Sequence, residues 1–230
     1  MFLIEVNAIR RSGHHAFIQW LISNINDKVY TENVCTEKIN HIYGNKKILW
    51  INEGEWETEE VIKYITENKT FEVVVISYEF WEDKIMNNPN YSILTPELKS
   101  TWNVEKHIHI PFVRNIYNNF ASLSKKIDFE ERKNSFKKFL YLHANQLKHG
   151  IDNNNLVIYD RWIKDKNYRD NVCLSLLGFK NKFNPLSVGG TDSSFNDSIN
   201  IEDLLSRYKT TSFPEWLELE IKETLIDYIY

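Results

Sequence analysis

Two arginines and a glycine-containing turn follow the first apolar run of the chain, residues 2–6. The turn is Arg10-Arg11-Ser12-Gly13-His14-His15, and a helical pattern begins at His14. A strand, a tight turn and a helix in this order point backbone N–H groups and the positive end of a helix dipole at one place, which suits a phosphate or sulfate. The turn is not a Walker A loop, because it lacks the second glycine and the Lys-Ser or Lys-Thr pair, and this disfavours an ordinary ATPase or GTPase.

A second pair of polar residues follows a later apolar run, residues 107–113. Arg114 ends that run, and Ser122 comes about two helical turns further on. At this spacing, a guanidinium and a hydroxyl can donate to one phosphate from two directions. The two motifs therefore indicate two anion-binding points in one chain.

Carboxylate and imidazole side chains that could act as a general base also occur near the predicted strand ends. Glu79 comes just after the strongest predicted strand, residues 71–77, and is the first candidate. Glu53 and His14 are the alternatives, and the sequence leaves all three open. No spacing of histidine, aspartate or glutamate predicts a metal site, so no metal is expected.

Apolar runs alternate with helical patterns, and this alternation predicts how the polar residues are positioned. The chain is predicted to be one domain, residues 1–230, with an α/β three-layer sandwich in which helices flank a central, mostly parallel sheet. Ligands of such sheets lie beyond the carboxyl ends of the strands, where both arginine motifs occur. The predicted strands are residues 2–6, 47–52, 71–77, 107–113 and 156–159. The predicted helices are 14–25, 57–68, 116–126, 130–148, 162–177, 200–208 and 214–228, with loops at 81–102 and 181–198.

Together the motifs resemble those of the sulfotransferases that use 3′-phosphoadenosine 5′-phosphosulfate (PAPS), a family with a P-loop-like fold. Arg11, Ser12 and Gly13 match its 5′-phosphosulfate loop, in which His14 and His15 here replace two small hydroxyl residues. The Arg114–Ser122 pair resembles its 3′-phosphate site. Residues 156–162 and 173–179 resemble later units of the family more loosely, and residues 189–195 resemble a Gly-Ser-Ser-Phe segment of some members.

The resemblance implies a sulfotransferase with PAPS as co-substrate and PAP as product. Arg11 would contact the bridging and sulfuryl oxygens and act in catalysis, and Arg114 and Ser122 would hold the 3′-phosphate. The residues implied in binding the co-substrate are Arg10, Arg11, Ser12, Gly13, His14, His15, Ala16, Arg114, Ser122, Gly190, Ser193 and Ser194. The alternatives are a P-loop-type phosphotransferase and a catalytically inactive nucleotide-binding protein of the same fold.

Composition limits the partners. Hydrophobic residues make up 42% of the chain and charged residues 26%, values typical of a folded domain. The formal net charge of −4 argues against a general nucleic-acid or membrane-surface binder. The resemblance implies a small-molecule, lipid or glycan acceptor. Without a predicted signal peptide or membrane span, a cytoplasmic protein is expected. Cys35 and Cys173 are predicted to be reduced packing residues. The acceptor and the oligomeric state are left open.

Overall fold

The structure is a computed structural model that describes residues 1–9, 11–26, 48–52, 58–67, 71–80, 92, 95–125, 128–184 and 201–228. Four strands of five to eight residues and a fifth of two residues form one sheet. They are β1 (Phe2–Ile9), β2 (Ile48–Asn52), β3 (Val73–Phe80), β4 (Lys106–Val113) and β5 (Val157–Ile158). Every pair is parallel and the order is β2-β3-β1-β4-β5, which places β1 at the centre.

Nine α-helices and two short 3-10 helices occur within the described residues. The α-helices are α1 (His14–Asn26), α2 (Thr58–Glu67), α3 (Pro96–Thr101), α4 (Ile116–Leu123), α5 (Lys133–Asp152), α6 (Tyr159–Lys164), α7 (Lys166–Leu177), α8 (Ile201–Leu205) and α9 (Glu215–Thr224). The 3-10 helices are η1 (Arg207–Thr210) and η2 (Ile226–Tyr228). None of these helices is long and apolar enough to cross a membrane.

Side chains of the central strands point alternately to the two faces of the sheet and pack into two separate cores, one on each face. Leu3 and Ile9 of β1 pack with residues of α2, α4, α5 and α9. Ile4, Val6 and Ala8 of the same strand pack with residues of α1, α6 and α7. The second core is rich in aromatic rings, whose centroids lie between 5.0 and 5.7 Å apart among Phe17, Trp20, Phe112 and Trp162. Helices therefore cover both faces, and the predicted α/β fold is confirmed.

Several predicted boundaries are wrong. Residues 81–102 were predicted to be loop, but Pro96–Thr101 is a helix because Thr95 accepts the Leu98 N–H and Pro96 starts the first turn. The helix predicted at 162–177 is two helices, which Asp165 separates by capping the second one. β1 continues to Ile9 and β3 to Phe80, while β5 has two residues because α6 already begins at Tyr159.

Cys173 lies in α7 with no exposed surface. Burial raises the pKa of its thiol to about 12, so the group stays protonated at neutral pH. The predicted packing role of Cys173 is confirmed, and Cys35 lies outside the described residues.

Candidate anion-binding site

The turn between β1 and α1 has an uncommon backbone. Arg11 has a φ of 66° and Gly13 a φ of 88°, both in the left-handed region that favours glycine. The Ser12 N–H donates to the Ile9 carbonyl at 3.1 Å, and α1 begins with the Phe17 N–H bonded to the Gly13 carbonyl at 3.4 Å. The helix geometry leaves the N–H groups of residues 13–16 outside the intrahelical ladder. The turn thus joins the central strand to the start of a helix, in the order that the sequence predicts, while anion binding there stays a prediction.

The sheet topology places this turn where the connections of two neighbouring strands diverge. After β1 the chain enters α1 on one face of the sheet, and after the neighbouring β4 it enters α4 on the opposite face. Where the connections of two adjacent parallel strands diverge in this way, a cleft opens at their carboxyl ends. The Arg11 turn follows β1 and Arg114 follows β4, and Nη1 of Arg114 donates to the Arg11 carbonyl, so the fold brings these two arginines together.

Arg114 lies at this cleft with 5% of its surface exposed. Its Nη2 donates to the Leu204 carbonyl at 2.7 Å and its Nη1 to the Arg11 carbonyl at 3.3 Å. Its guanidinium carbon is 4.9 Å from the centre of the Tyr159 ring, a cation–π distance. Burial lowers the pKa of Arg114, while Tyr159 and Asp160 act in the opposite direction. The guanidinium therefore bonds to backbone carbonyls on two separate segments.

Ser122 lies in α4 with its side chain buried. The hydrogen bonds of Arg114 run to residues 11 and 204, away from this helix. Convergence of Arg114 and Ser122 on one phosphate stays a prediction.

The structure describes the three candidate general bases to different extents. Glu79 lies in β3, paired in register with Ala8, which places its backbone at the carboxyl end of the central strands. Its side chain lies outside the described residues, as does all of Glu53. His14 is 2% exposed, and burial lowers its pKa to about 3. An imidazole of that pKa is a weak base near neutrality, which disfavours His14.

His14 and His15 are adjacent in the sequence, but their rings have different neighbours. Nδ1 of His14 is 3.3 Å from Oγ of Ser12, so this ring faces the turn. The His15 ring centroid is 4.2 Å from that of His14 and 5.5 Å from that of Trp50. Trp50 is itself fixed by a 3.0 Å hydrogen bond from its Nε1 to Oγ of Ser77. The contact between His15 of α1 and Trp50 in the middle of β2 was not predicted, because nothing in the sequence links residues so far apart.

The remaining predicted binding residues are described unevenly. Ala16 lies in the first turn of α1, half-buried, and packs against the aromatic core. Arg10, Gly190, Ser193 and Ser194 lie outside the described residues.

Two residues of the cleft have roles that the sequence did not reveal. Asp160 accepts the Asn115 N–H at 2.6 Å and the Asn118 side-chain amide at 3.4 Å. Asn118 also donates to the Leu205 carbonyl at 2.7 Å and accepts the Tyr208 N–H at 3.4 Å. Residues 159 and 160 were matched only loosely by the family resemblance, and that match was the one available signal for them.

A second buried polar group lies below the cleft, on the face of α4 and α5. Glu5 has no exposed surface, yet it accepts hydrogen bonds from Tyr78 Oη and, at 2.5 Å, from Nε2 of His107. Burial by itself raises the pKa of Glu5, but the hydrogen bonds from His107, Tyr78 and Ser92 outweigh it and lower the pKa overall. Glu5 is therefore a carboxylate at neutral pH, and it ties β1 to β3, β4 and Ser92.

No group of three or more histidine, cysteine, aspartate or glutamate side chains is arranged to hold a metal ion within the described ranges. Comparison of the chain with family models, curated proteins and solved structures gives no match. The functional conclusion accordingly depends on the chemistry of the cleft.

Proposed function

We propose that this protein is a PAPS-dependent sulfotransferase that modifies a hydroxyl or an amine of a small-molecule, lipid or glycan acceptor. The observation that carries the proposal is the left-handed turn at Arg11 and Gly13, set between the central strand and α1 at the divergence of β1 and β4. A turn of this kind at a helix N-terminus suits an anionic group. The half-buried Arg11 adds a permanent positive charge beside it. We place the protein in the cytoplasm, where PAPS is made.

In the proposed reaction, the acceptor oxygen or nitrogen attacks the sulfur of PAPS. The bond between sulfur and the bridging phosphate oxygen breaks, its electron pair stays on that oxygen, and PAP leaves. The acceptor proton passes to a general base, for which we propose Glu79, with Glu53 as the alternative. Arg11 stabilises the negative charge that develops on the bridging oxygen, and a guanidinium remains charged at every relevant pH.

Thermal denaturation with PAP, and separately with ATP plus Mg²⁺, tests the proposal. PAP at a hundredfold excess over its Kd should raise the Tm by about 5–11 °C for a chain of this size, since it binds only the folded state. ATP with Mg²⁺ should give a much smaller shift. A larger shift with ATP than with PAP would instead favour a phosphotransferase.

One observation favours a second candidate, a nucleotide-binding protein without turnover. His14 is buried at the position where the resemblance would have a small hydroxyl residue, so its side chain brings neither a hydroxyl nor a positive charge to the anion. A Tm shift with PAP but no release of PAP from PAPS, across a broad panel of acceptors, would identify this second function.

A further inference from the structure

We propose that Arg114 is a positioning residue that braces the Arg11–Gly13 turn. The proposal deepens the proposed function and rests on it, because the turn is where the anion of the nucleotide would bind. The family resemblance implies the other role for Arg114, direct contact with the 3′-phosphate. The two roles differ in what the guanidinium touches.

The guanidinium of Arg114 contacts two backbone segments and an aromatic ring. Nη1 and Nη2 each donate to a backbone carbonyl, and one face of the group lies over the Tyr159 ring. Its third nitrogen, Nε, is buried and has no hydrogen-bond partner among the described residues. Loss of the guanidinium would leave the Leu204 and Arg11 carbonyls without their charged donor.

The bond to Arg11 acts on the strained part of the turn. A non-glycine residue with a positive φ carries its carbonyl in an orientation that the surrounding structure has to hold. Nη1 of Arg114 donates to that carbonyl, at the residue whose φ is 66°. The charged donor thus stabilises the backbone that sets up the cradle.

Tyr159 connects Arg114 to Gly13, the second left-handed residue of the turn. A Cβ atom placed on Gly13 would lie 2.5 Å from Cε2 of Tyr159, so the ring packs directly on the Gly13 backbone. The same ring lies under the guanidinium of Arg114. Arg114 therefore contacts one left-handed residue by a hydrogen bond and the other through an aromatic ring.

The opposite end of the brace is anchored on residues 201–208. Arg114 bonds to the carbonyl of Leu204, and Asn118 bonds to the carbonyl of Leu205 and to the Tyr208 N–H. The start of α4 and the α8–η1 segment are thereby held as one support. This support fixes the guanidinium in place before any nucleotide arrives.

The test compares PAP with adenosine 5′-phosphate (AMP), which lacks the 3′-phosphate, in the full chain by calorimetry. A brace predicts that Arg114→Ala weakens both nucleotides by the same factor, about ten- to a hundredfold, because a bond to a charged group is lost from a shared turn. A 3′-phosphate ligand predicts that Arg114→Ala weakens PAP alone and brings its affinity down to that of AMP. That second result would overturn the proposal.

Hydrogen exchange of the amides of residues 12–17 provides a readout that needs no nucleotide. Arg114→Ala should accelerate this exchange by about ten- to a hundredfold, since losing the brace lowers the cost of opening the turn. The matched control is Arg169→Ala, because Arg169 is also buried and donates to two carbonyls, those of Trp162 and Ile163, and to none of residues 11–13. No acceleration beyond that of the control would refute the brace, even if the wild-type protein bound neither nucleotide and the proposed function had failed.

Arg114→Lys keeps the test decisive if Arg114→Ala does not fold. Lysine retains the charge and binds phosphates well, but it lacks the planar fork that reaches two carbonyls and stacks on a ring. The brace predicts fast exchange at residues 12–17 and equal weakening of PAP and AMP. Wild-type exchange together with nearly wild-type PAP affinity would contradict it.

Discussion

Gly13→Ala is the change whose cost the structure specifies best. The new Cβ would lie 2.5, 2.9 and 3.1 Å from three atoms of the Tyr159 ring, and the residue would keep a φ of 88°. The ring has little room to retreat, because it is 6% exposed and packs against Phe112, Trp162 and Arg114. A left-handed conformation costs an L-residue about 1–2 kcal/mol. Overpacking costs about 1–3 kcal/mol more, so we expect a loss of about 2–5 kcal/mol.

Substitutions at two other glycines measure the conformational cost and the cost of the clash separately. Gly178 has a φ of 82° but no atom within 4 Å of an added Cβ, so Gly178→Ala should cost only the conformational part, about 1–2 kcal/mol. Gly150 lies inside α5, where an added Cβ would meet Leu156 atoms at 2.7 and 2.8 Å. The loss of stability in Gly150→Ala should therefore come from the clash alone. It should be smaller by about 0.5–1 kcal/mol, because alanine is the better helix residue.

Urea denaturation followed by circular dichroism measures the three losses under one condition. Gly13→Ala should be the most destabilised variant and should also bind PAP more weakly. In a Tyr159→Ala background, the additional loss from Gly13→Ala should shrink by the clash contribution, about 1–3 kcal/mol. If Gly13→Ala costs no more than Gly178→Ala, the ring does not press on the turn and the packing argument is wrong.

Three further changes test other parts of the molecule. Glu5→Gln should cost about 1–3 kcal/mol at pH 7 through its buried network. Because the folded-state pKa of Glu5 is lowered, the gap to wild type in urea denaturation should close as the pH falls below 4.5. Burial holds His143 neutral by lowering its pKa to about 4. Between pH 6.5 and 4 only the unfolded chain takes this proton, so His143→Gln should reduce the slope of stability against pH by about 1.4 kcal/mol per unit; an unchanged slope would show that His143 is protonated in the folded protein. Arg11→Gly should relieve up to about 1 kcal/mol of backbone strain and raise the Tm, yet lower PAPS turnover far more than PAP binding. Wild-type turnover in that variant would remove Arg11 from the proposed reaction.

The sequence was informative wherever one local pattern decides the structure. The unbroken β-branched run at residues 73–76 predicts a buried parallel strand, and it is one. The glycine at 178 predicts the end of a helix, and α7 ends there with Gly178 in the left-handed region. The turn after β1 was also predicted from local residues alone, as a place where a strand, a glycine and a helix meet.

Predictions failed where a distant segment decides the outcome. The partners of Arg114 lie at residues 11 and 204, and no spacing along the chain indicates that its donors go to carbonyls. In the sequence, Glu5 only interrupts an apolar strand. Its role follows from the hydrogen bonds of His107 and Tyr78, which the fold brings beside it. Helix α3 was missed for a local reason: Asn87-Asn88-Pro89-Asn90 and Pro96 suggest a loop, whereas Pro96 begins the helix after the Thr95 cap.

The central position of β1 has a consequence for synthesis on the ribosome. This strand is made before both of its neighbours, and its pairing with Lys106 on β4 requires roughly a hundred further residues. At about 5–20 residues per second, the wait for β4 is on the order of 5–20 s, and for roughly the first two thirds of it β3 has not been made either. Chaperones that bind nascent chains would have the most time to bind during this wait. Slower translation between β1 and β4 would lengthen the wait. The yield of folded protein should therefore depend more on codon speed before residue 113 than after it.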